Sequence, residues 1–511
     1  MAIIENSFIF RLFCAVWAAL EEEWKGSFLY GVFRKIGAAI RRGAAGSVLC
    51  QAAWREGNIP RAWSESQACR LLTGLVNLPC ALTKTIYKAG KNLWDGSVFF
   101  RLLTRLGGLG APLVGLCAFV MLVAPHAMWN NVYALLLVLA VTALYILGTA
   151  NSRRRLELER IGPYHVIFFA FLCIALVSSV SLSLSLRFFL FHLTGLLMVL
   201  VLVSATQRVE QVQAAVAVAA AGLFVASLYG CYQGYIGVPV IASQQDMTVN
   251  PDMPGRVYSF FDNPNNFAEL LVMLLPLLLA LFLNAKSWKG KGAAVIAFGV
   301  GLAAIGYTLS RSGWLGLILA VFVFLALQNW RVVPFAMAAA LVALPFLPQS
   351  IYNRFLTIGN MQDSSTRYRF AIYEATGNLM KDYWFQGVGL GSDVMTKVFQ
   401  SYPTMYDGNH PIHTHNNYLQ MWGELGLAGG VAYIVLVLSQ VKNGVKAYYA
   451  AGNRRVRNLL SASVGAFCGI LLISVAEYTW FYPRNMFLFW FLFAIIGACV
   501  KLVKKEGDQK G

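Results

Sequence analysis

The chain has 511 residues, of which 58% are apolar and only 13% charged, about half the charged fraction of a soluble domain. That balance excludes a soluble enzyme, and runs of 17 or more mostly apolar residues recur from 109 to 503, the signature of transmembrane helices. The net charge of +18 therefore raises the question of which side of a membrane the basic residues occupy before it suggests nucleic acid.

Residues 1–107 differ from the rest. They hold 14 Lys and Arg, 7 Asp and Glu and five tryptophans, with no run long enough to cross a bilayer. Stretches such as FLYGVFRKIGAAIRRG have the pattern of basic amphipathic helices on an anionic leaflet, with Trp at headgroup depth. A small soluble cap packed on cytoplasmic loops is the alternative. The segment has no recognisable nucleic-acid-binding module, so no nucleic-acid partner is expected. It is not a signal peptide of the usual kind, because FIFRLFCAVWAAL is broken by Arg11 and followed by Glu21, Glu22 and Glu23.

Twelve spans are expected at about 109–125, 131–149, 164–186, 188–205, 213–236, 267–284, 293–309, 313–328, 332–348, 416–438, 459–477 and 485–502. The fold class is all-α and polytopic, with a transmembrane domain over 108–503 and a tail at 504–511. With both termini in the cytoplasm, 32 of the 41 basic residues fall inside, and 18 against 9 once residues 1–107 are set aside. The largest external loop then runs over 349–415, between spans nine and ten. In it, Asp363 or Ser364 can cap a helix, and GVGLGS at 387–392 lacks the spacing of a dinucleotide fingerprint and has the form of a tight turn. The nine cysteines lie in the N-terminal region or in apolar runs without a CxxC pair, so neither a disulfide framework nor a cysteine zinc site is expected.

Nine basic residues remain outside: Arg187, Arg256, Arg311, Arg354, Arg367, Arg369, Lys381, Lys397 and Arg484. One arginine at a span end can simply snorkel to the headgroups. Several on one non-cytoplasmic face can converge on a diphosphate, whose oxygens a guanidinium grips with two parallel hydrogen bonds. In DNPNNFAE, either Asn263 and Asn265 cap the sixth span, or Asn265 or Asn266 hydrogen-bonds a sugar or phosphate.

The densest polar cluster is IHTHNNYLQMWGELGLAGG, residues 412–430. His410, His413 and His415 are half of the chain's six histidines. Three readings compete for them. A metal site would need further ligands, with Asp407 and Glu424 in reach of the sequence, yet no HExxH supports it and no metal is expected. A helix cap would use Asn416 and leave the histidines idle. A catalytic site would use His415 as the base for a sugar hydroxyl, since histidine titrates nearest neutrality. Glu424 lies nine positions further along the helix, roughly on the side opposite His415, where a carboxylate in a span is costly and marks a functional or paired group. Gly426 and Gly430 form a small-xxx-small surface that lets another helix approach.

His415-Asn416, nine residues, then Gly426-x-x-Gly429 resembles the signature of the O-antigen ligase and O-antigen polymerase superfamily. Arg311 with Leu315, and Arg256 with Asn263-Pro264-Asn265, resemble its second and third motifs. The resemblance covers about 109–503 and omits residues 1–107. It implies a metal-independent, GT-C-type transferase with no cofactor. Such an enzyme moves a glycan from an undecaprenyl-diphosphate carrier to an acceptor hydroxyl at the outer face of the cytoplasmic membrane, the acceptor being a glycan, a lipid or a protein. By position, His415 would activate the acceptor, and Arg311 and Arg256 would hold the diphosphate, with Arg187, Arg367, Arg369, Asn265, Asn416 and Glu424 as further substrate contacts. A polysaccharide polymerase, a flippase for the same lipids and a membrane scaffold are the alternatives. His413 is expected to be the more dispensable histidine.

Overall fold

The computed structural model describes residues 57–241, 253–356, 358, 364–404 and 408–509, and before them parts that include one helix, α1 (Phe28–Gly46). Asp363 and Asp407 lie outside the described residues. The chain divides into two compact units, Met1–Arg61 and Ala62–Gly511, and the second holds the long apolar helices.

Among the described residues of this second unit every regular element is helical. Four short helices come first: α2 (Gln67–Val76), α3 (Leu78–Ala89), α4 (Lys91–Gly96) and α5 (Val98–Gly107). Longer ones come next: α6 (Gly110–Val123), α7 (Asn131–Leu147), α8 (Pro163–Val177), α9 (Leu182–Ala205), α10 (Val209–Ile236), α11 (Pro264–Asn284), α12 (Trp288–Tyr307), α13 (Arg311–Asn329) and α14 (Val333–Ala343). Three surface helices, α15 (Gln349–Leu356), α16 (Ser364–Tyr383) and α17 (Ser392–Phe399), precede α18 (Asn417–Ala450), α19 (Arg454–Ile473) and α20 (Pro483–Asp508).

Each stretch expected to cross the membrane carries a helix, but length and apolarity qualify eight of the described helices as spans, with α13 and α14 counted as one stretch, Arg311–Phe346. A ninth results if α5 and α6 are joined across their 76° bend, while α7 and α8 are shorter apolar helices. The expected helix over 164–186 is interrupted at 178–181. There Ser178 donates to Ile174 O (3.0 Å) and the Ser179 hydroxyl accepts from Ser181 N (3.0 Å), the local competition that serine offers to helix continuation. Arg187 consequently sits inside α9 rather than at a turn.

The core is graded. In α20 89% of the most apolar window is buried, against 22% in Arg311–Phe346. A helix apolar all round is stable only at the centre of a bundle or against lipid, and these two occupy those two environments. Because lipid tails are as apolar as leucine, close helix packing here relies on small residues. At the α13–α19 crossing a Cβ on Gly465 would lie 2.4 Å from Ala320 O, and one on Gly469 would lie 2.5 Å from Gly316 O. This GxxxG pair in α19 is the tight helix approach that the sequence pattern suggested for Gly426 and Gly430. Gly426 instead sits at a break inside α18 (φ 71°, ψ 178°), and what approaches it is not a helix but the backbone of Phe385.

Gly469→Leu is expected to destabilise the protein by roughly 1–3 kcal/mol through overpacking. Gly299→Leu on α12, where a Cβ meets nothing within 4 Å, should change stability little. Thermal unfolding of both variants in detergent checks the contrast.

Candidate active site

The site is assembled where the N-termini of three long helices meet one loop. α11 starts at the Asn263 cap, whose side chain accepts from Asn265 N (2.8 Å). α13 starts at Ser310, which caps Gly313 N. α18 starts at Asn416, whose Oδ1 accepts from Tyr418 N (2.9 Å) and Leu419 N (3.0 Å). Helix N-termini direct amide N–H groups and the positive end of the macrodipole at the same region, which favours an anion there.

At the centre is Glu477, in the loop between α19 and α20, with its side chain 8% exposed. Its Oε2 lies 3.3 Å from His415 Nδ1. Its Oε1 accepts from Arg369 Nη2, on α16, and from Asn265 Nδ2 (3.3 Å). Arg369 also donates to Ala476 O (3.0 Å). Asn265 in turn receives Arg256 Nη2, while Arg256 Nε donates to Thr308 O (2.9 Å). One chain of polar contacts therefore joins α11, the turn before α13, the turn before α18 and helix α16. Burial opposes the charge of Glu477, but Arg369 first and His415 next outweigh it and hold the carboxyl down at about 2. Burial, with Arg354, Arg311 and Arg369 nearby, pushes the Arg256 guanidinium down, and Glu477 opposes that shift. Arg354, nearly buried, donates Nε toward Leu309 O (3.5 Å).

His415 has φ 48°, a left-handed conformation uncommon for a residue with a side chain. The turn is held from three sides. His415 N donates to His413 Nδ1 (3.2 Å), Tyr373 OH donates to His415 O (3.3 Å), and Asn416 Nδ2 donates to Val475 O (2.8 Å). His413 packs against Phe481 with ring centroids 4.5 Å apart. Burial and the neighbouring His415 keep its pKa well below the usual histidine value, so it remains a neutral acceptor. His415 Nδ1 faces the Glu477 carboxylate, which leaves Nε2 as the ring nitrogen turned away from it.

Of the residues singled out from sequence, the structure brings His415, Arg256, Arg369 and Asn265 into this one contact chain, with Arg311 beside it at the start of α13. Asn416 serves as a cap and a loop tie. Glu424 is fully buried two turns into α18, where its Oε1 accepts from Gln420 Nε2 (2.8 Å) and Tyr478 OH (3.1 Å). Arg187 pairs instead with Asp393 of α17 (3.1 Å) and lies over the Phe188 and Phe191 rings. Arg367 is exposed two positions from Arg369, and residues two apart do not share a helix face. Among the described residues no group of three or more His, Cys, Asp or Glu could hold a metal ion. Sequence reasoning missed Glu477 altogether and passed over Arg354; a lone Glu followed by aromatics between the last two spans was the available signal.

The turn at 387–392 has a larger part than its sequence suggested. Val388 N donates to Gly423 O (2.8 Å), Gly389 N to Glu424 O (3.1 Å), and Leu427 N to Trp384 O (2.9 Å). The break at Gly426 frees these groups, and the segment 384–389 docks into it. On the far side Leu390 N donates to Ser185 Oγ (2.8 Å). This seat anchors the C-terminal end of α16, whose Arg369 and Tyr373 reach the His415 turn.

Residues 293–434 match the family model described as O-Antigen ligase. Residues 293–434 thus belong to the O-antigen ligase family. Over 141 residues the chain is also 26% identical to a Rickettsia conorii protein provisionally named a polysaccharide ligase, a stretch that is 27% of this chain and 32% of that protein. The chain thus spans about a third of the length of the curated relative it matches. The O-antigen ligase segment takes in Arg311, Arg369, His415 and the Gly426 break. Arg256, Asn265 and Glu477, which complete the contact chain in space, lie outside it. With its apolar helices, the protein is a multi-pass membrane protein.

Glu477→Gln leaves Arg369 beside a neutral partner and is expected to cost roughly 3 kcal/mol at neutral pH. Because the folded carboxyl sits at about 2, below its unfolded value of about 4.3, its contribution is present above that unfolded value and is lost as pH falls toward the folded one. Unfolding measured from pH 7 downward should therefore show wild type and variant converging below about pH 4. A gap independent of pH would contradict the ion-pair assignment.

Proposed function

We propose that the protein transfers a glycan from an undecaprenyl-diphosphate carrier to an acceptor hydroxyl at the outer face of the cytoplasmic membrane. The reading rests chiefly on one observation, the His415–Glu477–Arg369 contact carried through Asn265 to Arg256, at a place where further arginines gather.

The chemistry derives from that arrangement. His415 Nε2 takes the proton of the acceptor hydroxyl as its oxygen attacks the anomeric carbon. Glu477, held ionised, fixes the imidazole and stabilises the imidazolium that forms. The bond from the anomeric carbon to the diphosphate oxygen breaks, and its electron pair stays on the phosphate. Arg311, Arg256, Arg354 and Arg369 supply preorganised positive charge where the leaving group gains negative charge, which lowers a barrier most effectively. The helix N-termini of α11, α13 and α18 add to the same field. No metal is assigned a step. This is GT-C-type chemistry on twelve spans with both termini inside, and the lysine and arginine bias toward the inner side supports that orientation.

The acceptor class divides the family's own possibilities: a lipid acceptor makes a ligase, a second carrier-bound glycan a polymerase. Purified protein given a lipid-diphosphate glycan should yield transfer product with one of these. His415→Ala should lower turnover about 100-fold or more, the range for a general base, and Arg311→Ala by a similar factor. Full turnover by either variant overturns its assignment, and lipid movement without a transfer product favours a flippase. In a Lys381→Cys variant, the new thiol on the exposed face of α16 should react with an impermeant reagent from outside.

A further inference from the structure

A second polar site lies far along the chain from the first, among helices outside the segment that matches the O-antigen ligase family. α2 to α5 form a run of short amphipathic helices whose apolar side chains Leu71, Leu75, Leu78, Leu82, Phe99 and Leu102 are exposed. Within 62–107 there are six basic residues and two acidic ones. α5 meets α6 at a 76° bend, and α6 is a span-like helix with leucines and valines on every side. A helix nearly perpendicular to a span lies nearly in the plane of the membrane. The exposed apolar face of α5 therefore continues into the lipid-facing surface of the bundle, and acyl chains are what cover it.

At this level a cavity of about 540 Å³ opens between α2, α3 and the 153–159 loop. It is a built feature. Asn77, at the α2–α3 junction, donates to Leu156 O (2.8 Å) and accepts from Leu156 N (2.9 Å), which pins the loop to the helices. Three cations line it, Arg70, Lys84 and Arg155, with Thr73 and Asn77 as uncharged polar partners. Each cation is aimed by a single kind of protein contact. Arg70 donates to Glu65 O (3.1 Å), Lys84 donates to Arg154 O (2.8 Å), and Arg155 pairs with Glu159, the one carboxylate in the lining. A guanidinium has five donors and an ammonium three, so each keeps donor capacity for a phosphate after these contacts.

We propose that this cavity binds the phosphodiester headgroup of an anionic lipid from the leaflet on which α2–α5 lie, its acyl chains running along the exposed face of these helices. Basic pockets at the membrane surface bind anionic headgroups through this combination of charge and depth. The site is independent of the transfer chemistry, and its failure leaves the proposed function untouched.

The test uses the full-length protein in nanodiscs of phosphatidylglycerol mixed with phosphatidylcholine, with the lipids retained on release counted by native mass spectrometry. Wild type should retain phosphatidylglycerol selectively. Arg70→Gln, Lys84→Gln and Arg155→Gln should each weaken that retention about fivefold, the effect of one basic residue near a lipid surface. Melting temperatures in phosphatidylcholine alone show whether each variant is folded. Wild type should gain stability when phosphatidylglycerol is added, and the folded variants should gain less. Equal retention and equal stabilisation in all variants would overturn the proposal. So would saturable binding of inorganic phosphate by the detergent-purified protein with no preference between the two lipids, because the ligand would then be a soluble ion.

Discussion

A carboxylate buried at the edge of a membrane is tolerable only when it is paired on every side. Glu477 meets that condition with an arginine, a histidine and an amide, and the geometry of the site follows from it. The three partners come from α16, from the turn before α18 and from the start of α11, elements that are far apart in sequence. Loss of Arg369 would strand the carboxylate's charge. Glu477 thus sets how far α16 can stand from the bundle and which nitrogen of His415 turns away from the carboxylate, so one buried charge fixes both the architecture and the orientation of the imidazole.

The same site concentrates backbone strain. Among the described residues the non-glycine positions with positive φ are Ser259, Leu309 and His415. Each lies in one of the turns that lead into α11, α13 and α18. Strained residues of this type cost about 1–3 kcal/mol each and persist where their surroundings over-determine them. Here the surroundings can be named. Ser259 is held by Gln233 Oε1 (2.7 Å) and by its own hydroxyl on Ala226 O (2.6 Å), and Arg354 donates toward Leu309 O.

How much of this the sequence disclosed depended on how local each feature is. Apolar runs report helices directly, so the twelve expected stretches coincide with helices even where their lengths do not all qualify as spans. The serine-rich break at 178–181 was hidden because serine is tolerated in apolar runs and reveals its turn only through hydrogen bonds. His415, Arg256 and Arg311 stood out because polar groups at the ends of apolar runs are rare. Arg187 stood out for the same reason, yet the structure gives it a partner, Asp393, from 206 positions further along. Glu477 escaped notice because its significance is wholly tertiary: nothing within a few residues of it hints at Arg369 or Asn265. Gly426 was legible as a small residue but not as a break, since the requirement for glycine comes from Phe385 O, 1.9 Å from where a Cβ would stand.

That break connects the motif to the chemistry. A continuous helix from Asn417 would satisfy its own carbonyls and offer the segment 384–389 nothing to hold. Interrupted at Gly426, α18 leaves Gly423 O, Glu424 O and Leu427 N to pair with residues 384–389, a short backbone ladder formed where a helix has been opened. The seat fixes one end of α16, and Arg369 on that helix fixes the other end on Glu477. His415 and Gly426 therefore act on the same object from two sides: the turn at one sets the imidazole against Glu477, and the break at the other holds the helix whose Arg369 pairs with that carboxylate. The spacing between them measures the distance along α18 from its cap to the point where the segment 384–389 docks.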